Sequence, residues 1–243
     1  MKSSSRRTFL TRTLAVTAVF AVGRRVLAQA SSPAAMDSAS PKPPADRTRP
    51  THDPELAKEF VSACHRDLAR VQAMVAREPR LVFAAVDTGN VGIGDWETGL
   101  NGASHTGRRD IVEFLLANGA RIDAFAMAML GQRGVMLALL EANPRVAVVK
   151  GPHNLSLLYH AAIGGDVAIA QAIKPHLPPN AADFNQALGA AARDGRLEMT
   201  QWLLENGVTD VNAPDGFRKT PLRIAQEKGF SDVAAVLKAH GAR

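Results

Sequence analysis

The sequence predicts an all-α solenoid of about six stacked helix–turn–helix units. Two observations carry this. A glycine recurs in one slot, at Gly107, Gly131, Gly165, Gly195 and Gly229, and Asp67 holds that slot in an earlier copy. Apolar residues flank every slot at helical spacing on both sides, the mark of two short amphipathic helices joined by a tight turn. One such pair cannot bury its own apolar face; copies stacked side by side make a continuous core.

The chain begins with "MKSSSRRTFLTRTLAVTAVFAVGRRVLAQA". A basic front, a short apolar centre from Leu14 to Gly23 and a small-residue exit at Ala28-Gln29-Ala30 read as an export signal cut after Ala30. The centre is shorter than the roughly 20 apolar residues a membrane-spanning helix needs. Arg6, Arg7, Phe9 and Leu10 lie in "SRRTFL", which resembles the twin-arginine signal, a receptor-read address and not an anchor. Thr11 stands where that pattern usually has lysine. The expected location is the periplasm or the exterior, reached by twin-arginine-type export.

The signal also explains the charge. The whole chain carries +6, with 29 basic and 23 acidic residues. Residues 1–30 hold Lys2, Arg6, Arg7, Arg12, Arg24 and Arg25 and no acid, so the remainder is balanced. A basic patch on the folded domain, which nucleic-acid binding needs, is not expected. With Cys64 the single cysteine, no intrachain disulfide can form. No membrane span is expected in the mature chain.

Residues 31–52, rich in Pro, Ser and Ala, lack an apolar period and read as a disordered tether. The repeat domain is residues 53–243. Seven residues before the slots stand Phe60, Leu100, Ala124, Leu158, Leu188 and Leu222; four before stand Ala63, Ala103, Met127, Ala161, Ala191 and Ala225. Four after stand Val71, Ile111, Val135, Ile169, Met199 and Val233. The first helix of each unit is therefore thin, so that neighbours approach closely. The glycine supplies a left-handed residue to end it.

The spacing between slots varies. From Gly107 to Gly131 it is short, so the connector before unit three should be a plain loop without a hairpin. Before Gly107 it is long, and the extra residues fall in the Gly-rich "DTGNVGIGDWE", Asp87 to Glu97, expected to form an enlarged loop.

The final unit reads "DVNAPDGFRKTPLRIAQEKGFSDVAAVLKAHGA". It combines Asp-Val-Asn-Ala, the turn Asp215-Gly216, and Thr220-Pro221-Leu222 ahead of Ala225 and Gly229. "ETGLNGASHTGRRDIVEFLLANGARID" is a second clear copy. These stretches resemble the ankyrin repeat, over nearly all of the mature chain, and "GDWET" followed by "GRRDIVEFLLANGA" resembles a group of secreted bacterial ankyrin proteins. In that family Thr caps the first helix and Pro suits its first turn. Tetratricopeptide solenoids share a period of about 34 residues, but the first helices here lack their large-residue pattern.

The resemblance implies a non-catalytic module that binds an unidentified protein, as a scaffold or regulatory partner, on its inner edge. The two positions before each slot then face the groove: His65 and Arg66, His105 and Thr106, Met129 and Leu130, Ile163 and Gly164, Arg193 and Asp194, Glu227 and Lys228. The finger side adds Asp95, Trp96, Glu97, His153, Asn185, Phe217 and Lys219. Met129, Leu130 and Ile163 make either an apolar contact patch in the groove or core beneath the loop around His153. Trp96 reads as an interface aromatic or, preferably, as a plug pinning the Gly-rich loop; Trp202 reads as core.

The seven histidines show no paired zinc spacing, so no metal site is expected, although stacking could bring His105 and His153 together. His160 is expected to hydrogen-bond between repeats. Cys64 is expected as a buried small apolar residue. Arg108, Arg109, Asp110 and Glu113 read as a solvated outer face. No cofactor is expected, and the protein is expected to be a monomer. The alternatives are a periplasmic small-molecule- or metal-binding protein and a hydrolase using His105 and Asp95. Fold alone does not decide among them.

Overall fold

The computed structural model describes residues 52–243 apart from Ile93 and Asn180. The signal residues Arg6, Arg7, Phe9, Leu10, Ala28 and Ala30, and nearly all of the tether, lie outside the described residues.

Six helix pairs follow one another. They are α1 (Pro54–Cys64) with α2 (Leu68–Arg77), α3 (Gly99–His105) with α4 (Arg109–Ala117), and α5 (Ala124–Leu130) with α6 (Arg133–Ala142). Then come α7 (Leu157–Gly164) with α8 (Val167–Ile173), α9 (Ala182–Arg193) with α10 (Leu197–Asn206), and α11 (Pro221–Lys228) with α12 (Ser231–Ala239). All five slot glycines have positive φ, as the repeat pattern requires. In unit one Asp67 instead caps α2, accepting from the Arg70 N–H at 2.9 Å.

Starts are marked by side-chain caps. Thr98 and Asn101 form a reciprocal capping box on α3. Asp123, Ser156 and Thr220 accept from the third residue of α5, α7 and α11, and Pro221 occupies the first turn of α11.

The alanine column is the seam of the stack. Ala103, Ala161, Ala191 and Ala225 are fully buried, and Ala63 and Met127 nearly so. Helices α5 and α7 approach closely. A Cβ on Gly164 would sit 2.7 Å from the Met129 carbonyl oxygen, so the two backbones touch where any side chain would part them.

The second helices carry the larger core residues Val71, Ile111, Ile169, Met199 and Val233, all fully buried. Unit three departs from the sequence register. Val135 is half exposed, and Met136 and Leu140 are buried in its place. Helix α6 packs against α8 and the turn Pro144–Val148, and its buried stripe is rotated by one residue accordingly. Trp202 is half-buried, packed against Phe184 with ring centroids 6.3 Å apart.

Among the described residues one two-stranded hairpin finger is formed. Strand β1 (Ala85–Asp87) pairs antiparallel with β2 (Trp96–Thr98), so the long connector before unit two is an enlarged finger. Unit three has the expected plain connector, residues 118–123. Before unit four the chain makes a short bridge, Lys150 to Ser156, around the turn Pro152–Asn154.

Candidate functional site

Four side chains from three units converge on one point. His65 follows α1, Glu97 is the middle residue of β2, His105 ends α3, and His153 tips the loop before α7. One ligand-type atom from each lies within 4.8 Å of all the others. Glu97 Oε1 is 2.8 Å from His105 Nε2 and 3.3 Å from both His65 Nε2 and His153 Nε2. The two repeat-slot histidines, His65 and His105, are themselves 3.2 Å apart through Nε2.

Local chain geometry delivers each group. Strand alternation buries Glu97 while its neighbour Trp96 points to solvent, 61% exposed. His105 is fixed through its carbonyl oxygen, which accepts from the Tyr159 hydroxyl at 3.2 Å and from Arg193 Nη2 at 3.1 Å. Arg193 Nη1 also donates to the Tyr159 oxygen at 2.8 Å. His153 and Asn154 both adopt left-handed backbone conformations, φ 59° and 58°. That costs about 1–3 kcal/mol for a residue with a Cβ, and such strain clusters at functional sites. The His153 loop crosses over unit three, whose finger is missing, to reach the finger of unit two.

The electrostatics follow from this crowding. Burial resists ionisation of Glu97, but hydrogen bonds from His105 and His65, and their charge, outweigh it and hold the carboxyl down at about 2. Burial also disfavours charge on His65; the Glu97 carboxylate overcomes this and raises its pKa. His105 is more deeply enclosed, so burial wins and its pKa is lowered. Asp95, buried beneath the loop, is kept below its ordinary pKa: burial opposes this, but the Thr88 hydroxyl and the His153 N–H both donate to it.

A cleft of ≈ 1010 Å³ opens onto this cluster, between one face of α1 and the hairpin finger. His65 and Glu97 line it together with Val61, Phe83, Val86 and Trp96. The plug expected at Trp96 is therefore not formed: its ring stands at the cleft beside solvent.

The other sequence-predicted positions divide. Met129 and Ile163 are 2% and 1% exposed, and no apolar patch exists there. The close contact of α5 with α7 turns these side chains into the stack. Asp95 and Glu97 are likewise buried, as site interior and not as finger-tip contacts. Leu130, Thr106, Arg193 and Asp194 are half-buried, with Arg193 and Asp194 paired at 2.9 Å. Arg66, Phe217, Glu227 and Lys228 are exposed and Lys219 is half-buried, with Phe217 at 86%. Lys219 and Arg223 both pair with Glu227. Asn185 binds the turn at Thr209 and Asp210.

His160 makes its hydrogen bond to Ser156 O, at the start of its own helix, and packs on Phe125 of the preceding unit. Cys64 is fully buried, and burial pushes its thiol up to about 12. Arg108 pairs with Asp110, and Arg109, Asp110 and Glu113 are exposed. The pairing imagined for a hydrolase is not formed: Asp95 faces His153, and His105 faces Glu97. The four-residue cluster was not expected. Its one sequence signal is that His65 and His105 occupy the same slot in adjacent units.

Among the described residues, no helix is long and apolar enough to cross a membrane. No curated protein matches the chain. Residues 158–243 match the family model of ankyrin repeats (3 copies). That span holds the last three helix pairs, which are ankyrin repeats, and the same helix–turn–helix plan runs back to Pro54, so that the described residues form an all-α repeat solenoid.

Proposed function

We propose that this protein is a non-catalytic interaction module of the bacterial cell envelope, exported by its twin-arginine-type signal, that binds another protein at the cleft between α1 and the hairpin finger. Ankyrin repeats are generally protein-interaction modules. The observation that carries the placement is Trp96, a large aromatic left 61% exposed on a strand whose neighbours are fixed by pairing and capping. Such rigid aromatics beside a concavity are the residues that anchor interfaces. Phe83, half exposed on the same cleft, extends the apolar surface. The groove centre at Met129 and Ile163 is excluded as the contact because it is buried.

The test is in-cell photo-crosslinking from position 96 in the envelope fraction, with Trp96→Arg as control. One reproducible protein partner, lost in the control, is expected. Capture that survives Trp96→Arg would remove the cleft as the contact. For export, replacement of Arg6 and Arg7 by lysine is expected to trap precursor inside the cell, and normal secretion would count against the twin-arginine route.

A further inference from the structure

We propose that His65, Glu97, His105 and His153 form a binding site for one first-row divalent cation, zinc by preference, which clamps the finger loops of units two and four to the first helix of unit one.

Three of the six ligand-atom distances match a tetrahedron. Zinc binds imidazole nitrogen and carboxylate oxygen at about 2.0–2.1 Å, which places tetrahedral ligand atoms about 3.3–3.4 Å from one another. The ligand-atom pairs measured here are 3.2 Å for His65–His105, 3.3 Å for His65–Glu97 and 3.3 Å for His153–Glu97. His105–Glu97 is closer, at 2.8 Å, and His153 lies within 4.8 Å of His65 and His105.

The outer hydrogen bonds fix which nitrogen each ring presents. His65 Nδ1 is 2.8 Å from the Val61 carbonyl oxygen, which can only accept, so Nδ1 carries a proton and Nε2 is the nitrogen turned to the cluster, where a metal would take the place of the proton it shares with Glu97. His153 Nδ1 is 3.2 Å from Asp95 Oδ2, with the same result. Asn90 Nδ2 lies 3.0 Å from that nitrogen, so a proton on Nδ1 requires the Asn90 amide turned with its oxygen toward the ring. Carbonyl and carboxylate partners behind a histidine are the usual support of a metal ligand.

Nε2 of both rings therefore faces one carboxylate oxygen that already faces the third imidazole. A single cation at their centre would bind all four at once. The site is also shaped for the ring it holds: a Cβ on Gly102 would lie 2.8 Å from His65 Cε1. Three imidazoles and one carboxylate suit zinc and its first-row neighbours, whereas calcium and magnesium take oxygen ligands. With four protein ligands the site is closed, as structural zinc sites are. The clamp does not depend on the partner-binding reading, since its ligands are buried or half-buried below Trp96.

The experiment is titration of the chelator-stripped full chain with zinc alone by calorimetry, and with cobalt(II) by visible absorption, alongside Glu97→Gln and His153→Ala. Expected are one equivalent of zinc, a rise in melting temperature, and the intense visible band of tetrahedral cobalt. Each variant, its fold checked by circular dichroism, should bind at least tenfold more weakly. Any of three results would overturn the site: no zinc uptake by the wild-type chain, uptake unchanged in both variants, or a weak octahedral cobalt spectrum. Histidine protons titrating freely in the presence of excess zinc would overturn it as well, by making the cluster a proton-sharing network.

Discussion

The backbone N–H of His153 donates to Asp95 Oδ1 at 2.9 Å, joining two loops 58 residues apart. The other oxygen of the same carboxylate accepts from the Thr88 hydroxyl and lies 3.2 Å from His153 Nδ1. Asp95 thus holds both the path of the loop and the tilt of the ring. Outer partners of this kind are worth about 10–100-fold in metal affinity. Asp95→Asn is expected to weaken zinc binding by about tenfold or more, read by competition with a chelating dye, while the far-ultraviolet spectrum is unchanged. Unaltered affinity would mean that the loop holds its shape without the carboxylate.

Gly102 is the second positioning residue. An alanine there must push the His65 ring away from Glu97, because the added carbon would meet Cε1 and Nδ1 at under 3 Å. Gly102→Ala should favour α3 by helix propensity and still lower zinc affinity, about tenfold or more. Stability of the metal-free chain and affinity should move in opposite directions, which chemical unfolding with chelator and calorimetry together would show.

At Gly164 the obstacle is backbone, which cannot swing aside. Gly164→Ala is expected to cost about 1–3 kcal/mol, the usual penalty for overpacking, by separating α5 from α7. Urea unfolding measures it; a change below a few tenths of a kcal/mol would show that the seam can open freely.

His160 makes acid stability predictable. Burial is the largest cause holding its pKa down, to about 3 against an ordinary 6.5. The Ser156 carbonyl opposes that shift, and the positive charge of His105 and Arg193 adds to it. The apolar ring of Phe125 and the edge of Tyr159 complete the enclosure. Because the unfolded chain takes up this proton first, its contribution is fully present above pH 6.5 and falls as pH drops toward 3. The loss is about 1.4 kcal/mol per pH unit. The stability difference between wild type and His160→Asn should shift in the variant's favour at that rate over this window, measured by urea unfolding at successive pH values. A constant difference would refute the assignment.

The parts of this architecture set by short-range rules were legible in the sequence. The glycine slot, the alanine column and the Thr-Pro start of α11 depend only on residues within one helical turn, and each stands where its spacing put it. Unit three was misjudged because its partners changed: α6 lies on α8 and the Pro144–Val148 turn, and periodicity carries no information about which neighbour a helix meets. Trp96 was misplaced for a similar reason. A Gly-rich stretch gives no sign that its ends will pair as strands, and that pairing turned Glu97 inward and Trp96 outward. His65 and His105 were marked as a pair of slots facing one side. What could not be read was the reach of His153, which depends on an absent finger in a different unit.

That absent finger changes how the whole array responds to stress. In a stack whose units touch only their neighbours, stability is a sum of local terms and ends can unzip one at a time. Here Tyr159 and Arg193 grip the carbonyl oxygen of His105, and His153 grips Asp95, so unit two is tied directly to units four and five over the top of unit three. Units two to five can then come apart only together. Denaturation of the metal-free chain should proceed as a single cooperative event through its middle, with the terminal pairs, α1 with α2 and α11 with α12, left free to fray.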